Sequence, residues 1–192
     1  MNRQTFLSLL GLASLSLPRN AMSYSLKVPE TLFFKDDGTI PNSKYPLLVY
    51  RNAFSERNGP GAEWLERRFA ANNWTNSWRN GVYSFHHYHS TSHEVLGIYS
   101  GKALLHLGGE NGRKVNVQAG DILVIPAGVG HKNLGSDQLG IVGAYPDGRS
   151  WDVNKGLPGE RPQADKNIAA VPLPSTDPLL GKEGGLLTHW LL

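Results

Sequence analysis

Between residues 81 and 145 short apolar runs alternate with glycine-bearing turns. Val82 to His89 reads as one strand, and Glu94 to Tyr99 as a second, closed by Gly101. Ala103–Leu107 and Lys114–Gln118 flank Asn111-Gly112, a two-residue hairpin signal. Asp121–Ile125 and His131–Leu134 flank Pro126-Ala127-Gly128, and Leu139–Tyr145 closes the series. Strands this short and this evenly spaced predict an antiparallel sandwich or barrel. Upstream, residues 24–60 read as extended and turn-rich, with a turn at Asp36-Asp37-Gly38, Pro41 and Pro46 opposing helix, and a short strand at Leu47–Tyr50. Ala62–Asn73 has helical periodicity, with Trp64, Leu65 and Phe69 on one side and Glu63, Glu66 and Arg67 elsewhere, and predicts a packing helix. Six prolines in residues 146–192 argue against long helices. Ile168, Val171, Leu173, Leu179, Leu186 and Trp190 would be stranded in water unless this segment lies as an ordered arm on the barrel.

Composition narrows the chemistry. The 192 residues suit a single domain, and 40% hydrophobic against 18% charged residues allows an ordinary core. The absence of cysteine excludes disulfides, thiolate metal sites and cysteine nucleophiles. Arg3 and Arg19 fall within residues 1–23, which hold no acid; the remainder carries 17 basic against 16 acidic residues. That balance predicts no nucleic-acid partner and no polybasic membrane patch.

The first residues read as an address. Arg3 precedes a mostly apolar run from Phe6 to Leu17, Pro18 breaks it, and Ala21-Met22-Ser23 offers small residues for cleavage. Residues 1–23 are thus expected to be a secretory signal peptide on a single domain at 24–192, placing the protein outside the cytoplasm or in the periplasm. The run is too short for a membrane span of roughly 20 residues. The competing reading takes Met22 as the true start of a cytoplasmic protein.

Four of the seven histidines fall between residues 86 and 93. On a strand, His87 and His89 share a face and His86 points away. Two imidazoles two residues apart suit one metal ion. Glu94, opening the next strand, can bring a carboxylate to the same centre, and His131 can arrive from beyond the Pro126-Ala127-Gly128 turn. Three neutral nitrogens and a carboxylate suit one divalent transition metal: Mn, Fe, Co, Ni, Cu or Zn. Tyr83 and Phe85 share the face of His87 and should line the cavity wall. His93 is expected at the barrel mouth, as a turn or supporting residue or an acid/base; His86 and His106 read as structural. The Asp147–Asp152 segment reads as a turn holding an Arg–Asp pair.

The spacings then become diagnostic. Gly81, five residues, His87-Tyr88-His89, four residues, Glu94, six residues and Gly101 resemble the first cupin motif. Gly120, five residues, Pro126, one residue, Gly128, two residues and His131 resemble the second. The asparagine of that motif would fall at 135, which is Gly135 here, with Asn133 two residues earlier. The stretches Phe34–Asn42, His86–Gly97 and Asn167–Pro174 extend the resemblance to the YjlB-type cupins over roughly residues 28–190.

The resemblance implies an all-β fold: a cupin-type jelly-roll (double-stranded β-helix) barrel, core about 81–145, with one short N-terminal helix and an extended Pro-rich C-terminal arm. It implies His87, His89, Glu94 and His131 as metal ligands, a small-molecule ligand in the barrel, and a homodimer. It supplies no reaction. Three functions stay open: a metal-dependent enzyme of dioxygenase, isomerase or lyase type on a small organic substrate; a non-catalytic small-ligand or metal-binding protein; and a barrel merely braced by its metal.

Overall fold

The computed structural model describes residues 28–190; the expected signal peptide at 1–23 lies outside them. The element order is β1 (Glu30–Leu32), β2 (Leu47–Tyr50), α1 (Asn58–Ala71), β3 (Trp74–Asn80), β4 (Glu94–Leu107), β5 (Arg113–Gln118), β6 (Ile122–Ile125), β7 (His131–Pro146), α2 (Gln163–Ala170) and α3 (Leu186–Trp190). The seven strands form one antiparallel sheet in the order β1-β2-β6-β4-β7-β3, with β5 paired to β4.

Two long strands carry the architecture. β4 pairs β7 from Val95↔Ala144 to Leu107↔His131. The first part of β4 also pairs β6, Glu94↔Ile125 to Gly97↔Ile122, while its second part pairs β5, Lys102↔Gln118 to Leu107↔Arg113. Changing partners midway requires a bend, marked by register shifts between Ile98 and Lys102. Gly101 sits there at φ +65°, where a Cβ would lie 2.1 Å from the Asp137 carbonyl oxygen. Gly101 therefore bends one continuous strand; it does not end a strand as the apolar pattern suggested. The segments His131–Leu134 and Leu139–Tyr145 likewise belong to the single strand β7. The hairpin between β4 and β5 spans residues 108–112, longer than its Asn-Gly pair implied.

Alternation along the strands divides the core. Ile122 and Val124 of β6, with Val95 and Val142, pack under α1 against Leu65 and Phe69. Leu123 and Ile125 turn to the opposite face, joining Leu96, Ile98, Leu105 and Ile141 in a second cluster. Both faces of β6 are thus covered, which explains its unbroken apolar run. α1 lies close to the sheet because Gly97 makes room: a Cβ there would meet Leu65 Cδ2 at 2.5 Å. The helix begins at Asn58, ahead of the predicted Ala62. Gly59-Pro60-Gly61 reads as a turn, but proline is tolerated in a first helical turn, where the missing N–H has no intrahelical partner anyway.

The predicted strand Val82–His89 is corrected. The strand in that region is β3, Trp74–Asn80, whose polar sequence gave little signal. Residues 81–89 form a loop held by isolated bridges, His87↔His131 and Tyr88↔Asn154, and by the Asn133 N–H donating to the Tyr83 carbonyl at 2.8 Å. The arm also folds more than its prolines suggested, forming α2 and α3. Leu179, Leu186 and Trp190 are buried in the cluster beneath α1. No helix among the described residues is long and apolar enough to cross a membrane.

Asp177 locks the arm. It is fully buried, and its carboxylate accepts hydrogen bonds from the N–H groups of Leu179 (2.7 Å), Leu180 (2.9 Å) and Leu186 (2.8 Å) and from the Tyr50 hydroxyl. Asp177→Ala strands all four donors, so urea unfolding should show a loss of about 3 kcal/mol or more. A loss below about 1 kcal/mol would refute this role.

Candidate metal centre

Strand parity decides which side chains meet. Glu94 shares its face with Leu96 and Ile98, which belong to the inner cluster, so its carboxylate enters the barrel. His93 takes the opposite face. Across from Glu94, β7 supplies Tyr145, one position beyond the Val95↔Ala144 pair, and at its other end His131. His87 and His89 come from the bridged loop.

His87, His89 and His131 are all buried and each offers a ring nitrogen within 4.8 Å of the others. Glu94 Oε2 lies 3.4 Å from His89 Nε2 and 3.4 Å from His131 Nε2. The four residues expected from sequence to bind metal are therefore brought to one place. The outward nitrogens are committed to backbone carbonyls: His87 Nδ1 to Phe85 (3.4 Å), His131 Nδ1 to Val129 (3.1 Å) and His89 Nδ1 to Asp152. A carbonyl only accepts, so each Nδ1 carries a proton and Nε2 is the nitrogen turned to the centre, available to coordinate when the ring is neutral.

Glu94 is fixed in the same way. Its Oε1 accepts from the Tyr145 hydroxyl at 3.0 Å, and Tyr145 in turn accepts from Trp78 Nε1 at 2.8 Å. Oε2 is buried and has no hydrogen-bond partner among the described residues. A buried carboxylate oxygen is costly unless a cation, a metal ion or a protonated imidazole, meets it. The donor set, three nitrogens and one oxygen, suits a divalent first-row ion.

The electrostatics agree. Burial, followed by repulsion from the His131 and His89 rings, pushes His87 down to about 2, so its imidazole is neutral at any working pH. Burial opposes the charge on Glu94, but the His89 and His131 rings outweigh it and hold the carboxyl below its usual range. Burial likewise opposes a charged His89, and the Glu94 carboxylate more than offsets it, raising His89. Burial and the Glu94 charge raise Tyr145, which stays a neutral donor.

A cavity of about 430 Å³ opens onto these residues, walled by Trp78, Tyr83, Leu96, Tyr145 and Trp151 among others. Trp151 stacks on Tyr145 with centroids 5.6 Å apart and meets the His89 ring edge-on at 5.2 Å. Tyr83 stands at the mouth, 47% exposed, its ring 4.9 Å from His87. Phe85 stacks on Tyr83 but faces outward beneath Lys155 Nζ, and the cavity wall does not include it.

Two expectations change. His93 is not at the mouth: it is buried on the far face, accepting the Ala127 N–H at Nδ1 (2.9 Å) with its ring 4.8 Å from Trp190. Burial takes it down to about 4, and it faces away from the cavity, which removes it as an acid/base there. The Asp147–Asp152 segment is not built on an Arg–Asp pair. Asn73 bonds Asp147, while the Asp152 carboxylate accepts from the Ser90 N–H (2.6 Å), the Thr91 N–H (3.2 Å) and Asn154 Nδ2 (2.7 Å). It thereby fastens the turn after His89 and aims its own carbonyl at His89. Nothing in the sequence spacing linked Asp152 to the site. Tyr145 was readable only once its register against Glu94 was known.

The Cupin domain family matches residues 79–138. The uncharacterised protein YjlB of Bacillus subtilis (strain 168) is 43% identical over 164 residues, covering 84% of this chain and 96% of its own. Among solved structures, an acireductone dioxygenase from Bacillus anthracis, with a cadmium ion in its active centre, aligns at 14% identity and TM-score 0.39 over 55% of this chain and 80% of its own. Bacillus subtilis oxalate decarboxylase, described with Mn(II) centres, aligns at 20% identity and TM-score 0.35 over 76% of this chain and 37% of its own. With both motifs in place on an antiparallel β-fold and a relative this similar along nearly its whole length, the chain belongs to the cupin family, in the group represented by YjlB.

Proposed function

We propose that His87, His89, Glu94 and His131 hold one divalent transition metal and that the protein is a metal-dependent enzyme acting on a small organic molecule in the adjoining cavity, by dioxygenase- or isomerase-type chemistry. The observation that carries this reading is Glu94 Oε2, buried, without a hydrogen-bond partner among the described residues, and 3.4 Å from each of two imidazole nitrogens. A bound ion supplies Lewis acidity at coordination positions the four side chains leave open. The chain's own residues do the rest. The Trp78–Tyr145–Glu94 relay fixes the carboxylate, and the three carbonyls fix the rings, so the ligand geometry is set before loading. The aromatic wall of Trp78, Tyr83, Tyr145 and Trp151 excludes water and favours small, partly apolar ligands.

A second reading, binding without turnover, is favoured by one feature. With His93 facing away and the Tyr145 hydroxyl engaged at Glu94, the cavity offers few uncommitted groups for proton transfer. Among the described residues lining the cavity, Tyr83, its ring beside His87, and Ser77 carry the other hydroxyls. Turnover of any compound in a metabolite screen, abolished by His87→Ala, decides for the enzyme. Ligand retention with no conversion by metal-replete protein decides for the binder.

Elemental analysis should find close to one first-row metal per chain, falling to a few per cent of that in His131→Ala with the fold retained by circular dichroism. An unchanged metal content in that variant would defeat the proposal. Tyr145→Phe should keep the fold but weaken metal affinity about tenfold, because Glu94 loses its orienting donor. Affinity should also depend on pH with a definite sign. The raised His89 holds its proton up to above the ordinary imidazole value of about 6.5, and metal must displace it. Apparent affinity should therefore fall about tenfold per pH unit below that point and level off above it. A flat profile between pH 5 and 8 would contradict the assignment of His89.

A further inference from the structure

A second group of ligating side chains lies behind the segment that carries the central imidazoles. His86, His106 and Glu110 each bring one ligand atom within 4.8 Å of the others. They come from three parts of the fold: the loop after β3, the second half of β4, and the hairpin between β4 and β5. The two rings lie 4.9 Å apart between centroids, and His86 Nε2 is 3.3 Å from Glu110 Oε1. The His86 side chain is only 10% exposed, yet neither of its ring nitrogens has a hydrogen-bond partner among the described residues. Buried polar atoms are rarely left so.

We propose that His86, His106 and Glu110 form a second divalent-cation site, distinct from the central one, that takes Zn²⁺ or a similar borderline first-row ion. Two imidazole nitrogens and a carboxylate oxygen make a three-ligand set, with water completing the tetrahedron. His86 and His87 are neighbours whose side chains diverge, so the two sites share no ligand. Lys132 now serves as the cation here: its ammonium lies 2.7 Å from Glu110 Oε1, and it stands opposite His106 in the β4–β7 ladder. Glu110 is 72% exposed on the hairpin loop and already holds Lys132, so an ion must compete with that ammonium for its carboxylate. Lys114, opposite His106 on β5, adds positive charge. This site therefore fills at higher ion concentration than the central one.

Occupation would tie residue 86 to the hairpin. Among the described residues, the 81–89 segment has no strand pairing beyond the His87↔His131 and Tyr88↔Asn154 bridges. A second ion would brace the segment that presents His87 and His89.

The test is a titration of the metal-stripped full chain with Co²⁺, followed by its visible absorption, and with Zn²⁺ by calorimetry. Wild type should take two equivalents in separable steps. Glu110→Gln, an exposed substitution that leaves the fold undisturbed, and His106→Asn should each abolish the weaker step alone. Lys132→Gln should tighten the weaker step about tenfold by removing the competing cation. His131→Ala should lose the tighter step and keep the weaker, so failure of the central assignment and failure of this one are separable. A wild-type titration with no weaker step, or a weaker step unaltered in both Glu110→Gln and His106→Asn, overturns the second site.

Discussion

One buried carboxylate among three imidazoles organises this molecule. Taking Glu94 out of water costs several kcal/mol unless its charge is met, and the barrel meets half of it with the Tyr145 hydroxyl. The other oxygen is left for whatever the three Nε2 atoms also face. Each ring is turned inward by giving its outward N–H to a main-chain carbonyl. The centre is thus prepared by hydrogen bonds that lie outside it. Satisfaction of the outer atoms and orphaning of the inner ones are the same design seen from two sides.

The β-architecture makes this possible at long range. The β4–β7 ladder places Glu94 beside Tyr145 at one end, and the His87↔His131 bridge joins the loop to the start of β7. The bend at Gly101 lets one strand serve two partners, so the inner face closes around a cavity. The arm completes it: Asp152 ties the turn after His89, and Trp151 covers Tyr145. A fold with the same strands but without residues 146–190 would lack part of the wall. This is why the apolar residues of the arm, and the buried Asp177 that anchors it, bear on function as well as stability.

Much of this was legible in the residues. Period-two alternation placed His87 and His89 together and His86 apart, and that relation survives although the segment is a loop, because its isolated bridges keep locally extended geometry. Glu94 and His131 were legible from motif spacing. β3 was not, since Trp74–Asn80 is mostly polar and its exposed face dominates the pattern. The run Val82–Phe85 suggests a strand for the opposite reason: Tyr83 and Phe85 are 47% and 39% exposed, Tyr83 in the cavity wall and Phe85 on the outer surface, and neither belongs to a core. His93 lies away from the cavity because neighbours in a strand take opposite faces, and Glu94 takes the inner one. The roles of Trp78, Tyr145 and Asp152 depend on register and on a distant arm, neither of which local sequence encodes.

X-ray absorption spectroscopy at the metal edge of the loaded full chain, compared with His131→Ala and Glu94→Gln, reads the proposed ligand set itself. The four-ligand centre predicts three imidazole nitrogens and one carboxylate oxygen at about 2.0–2.2 Å, with one imidazole lost in the first variant and the carboxylate contribution altered in the second. A spectrum with fewer than two imidazoles, or one unchanged in both variants, would contradict it.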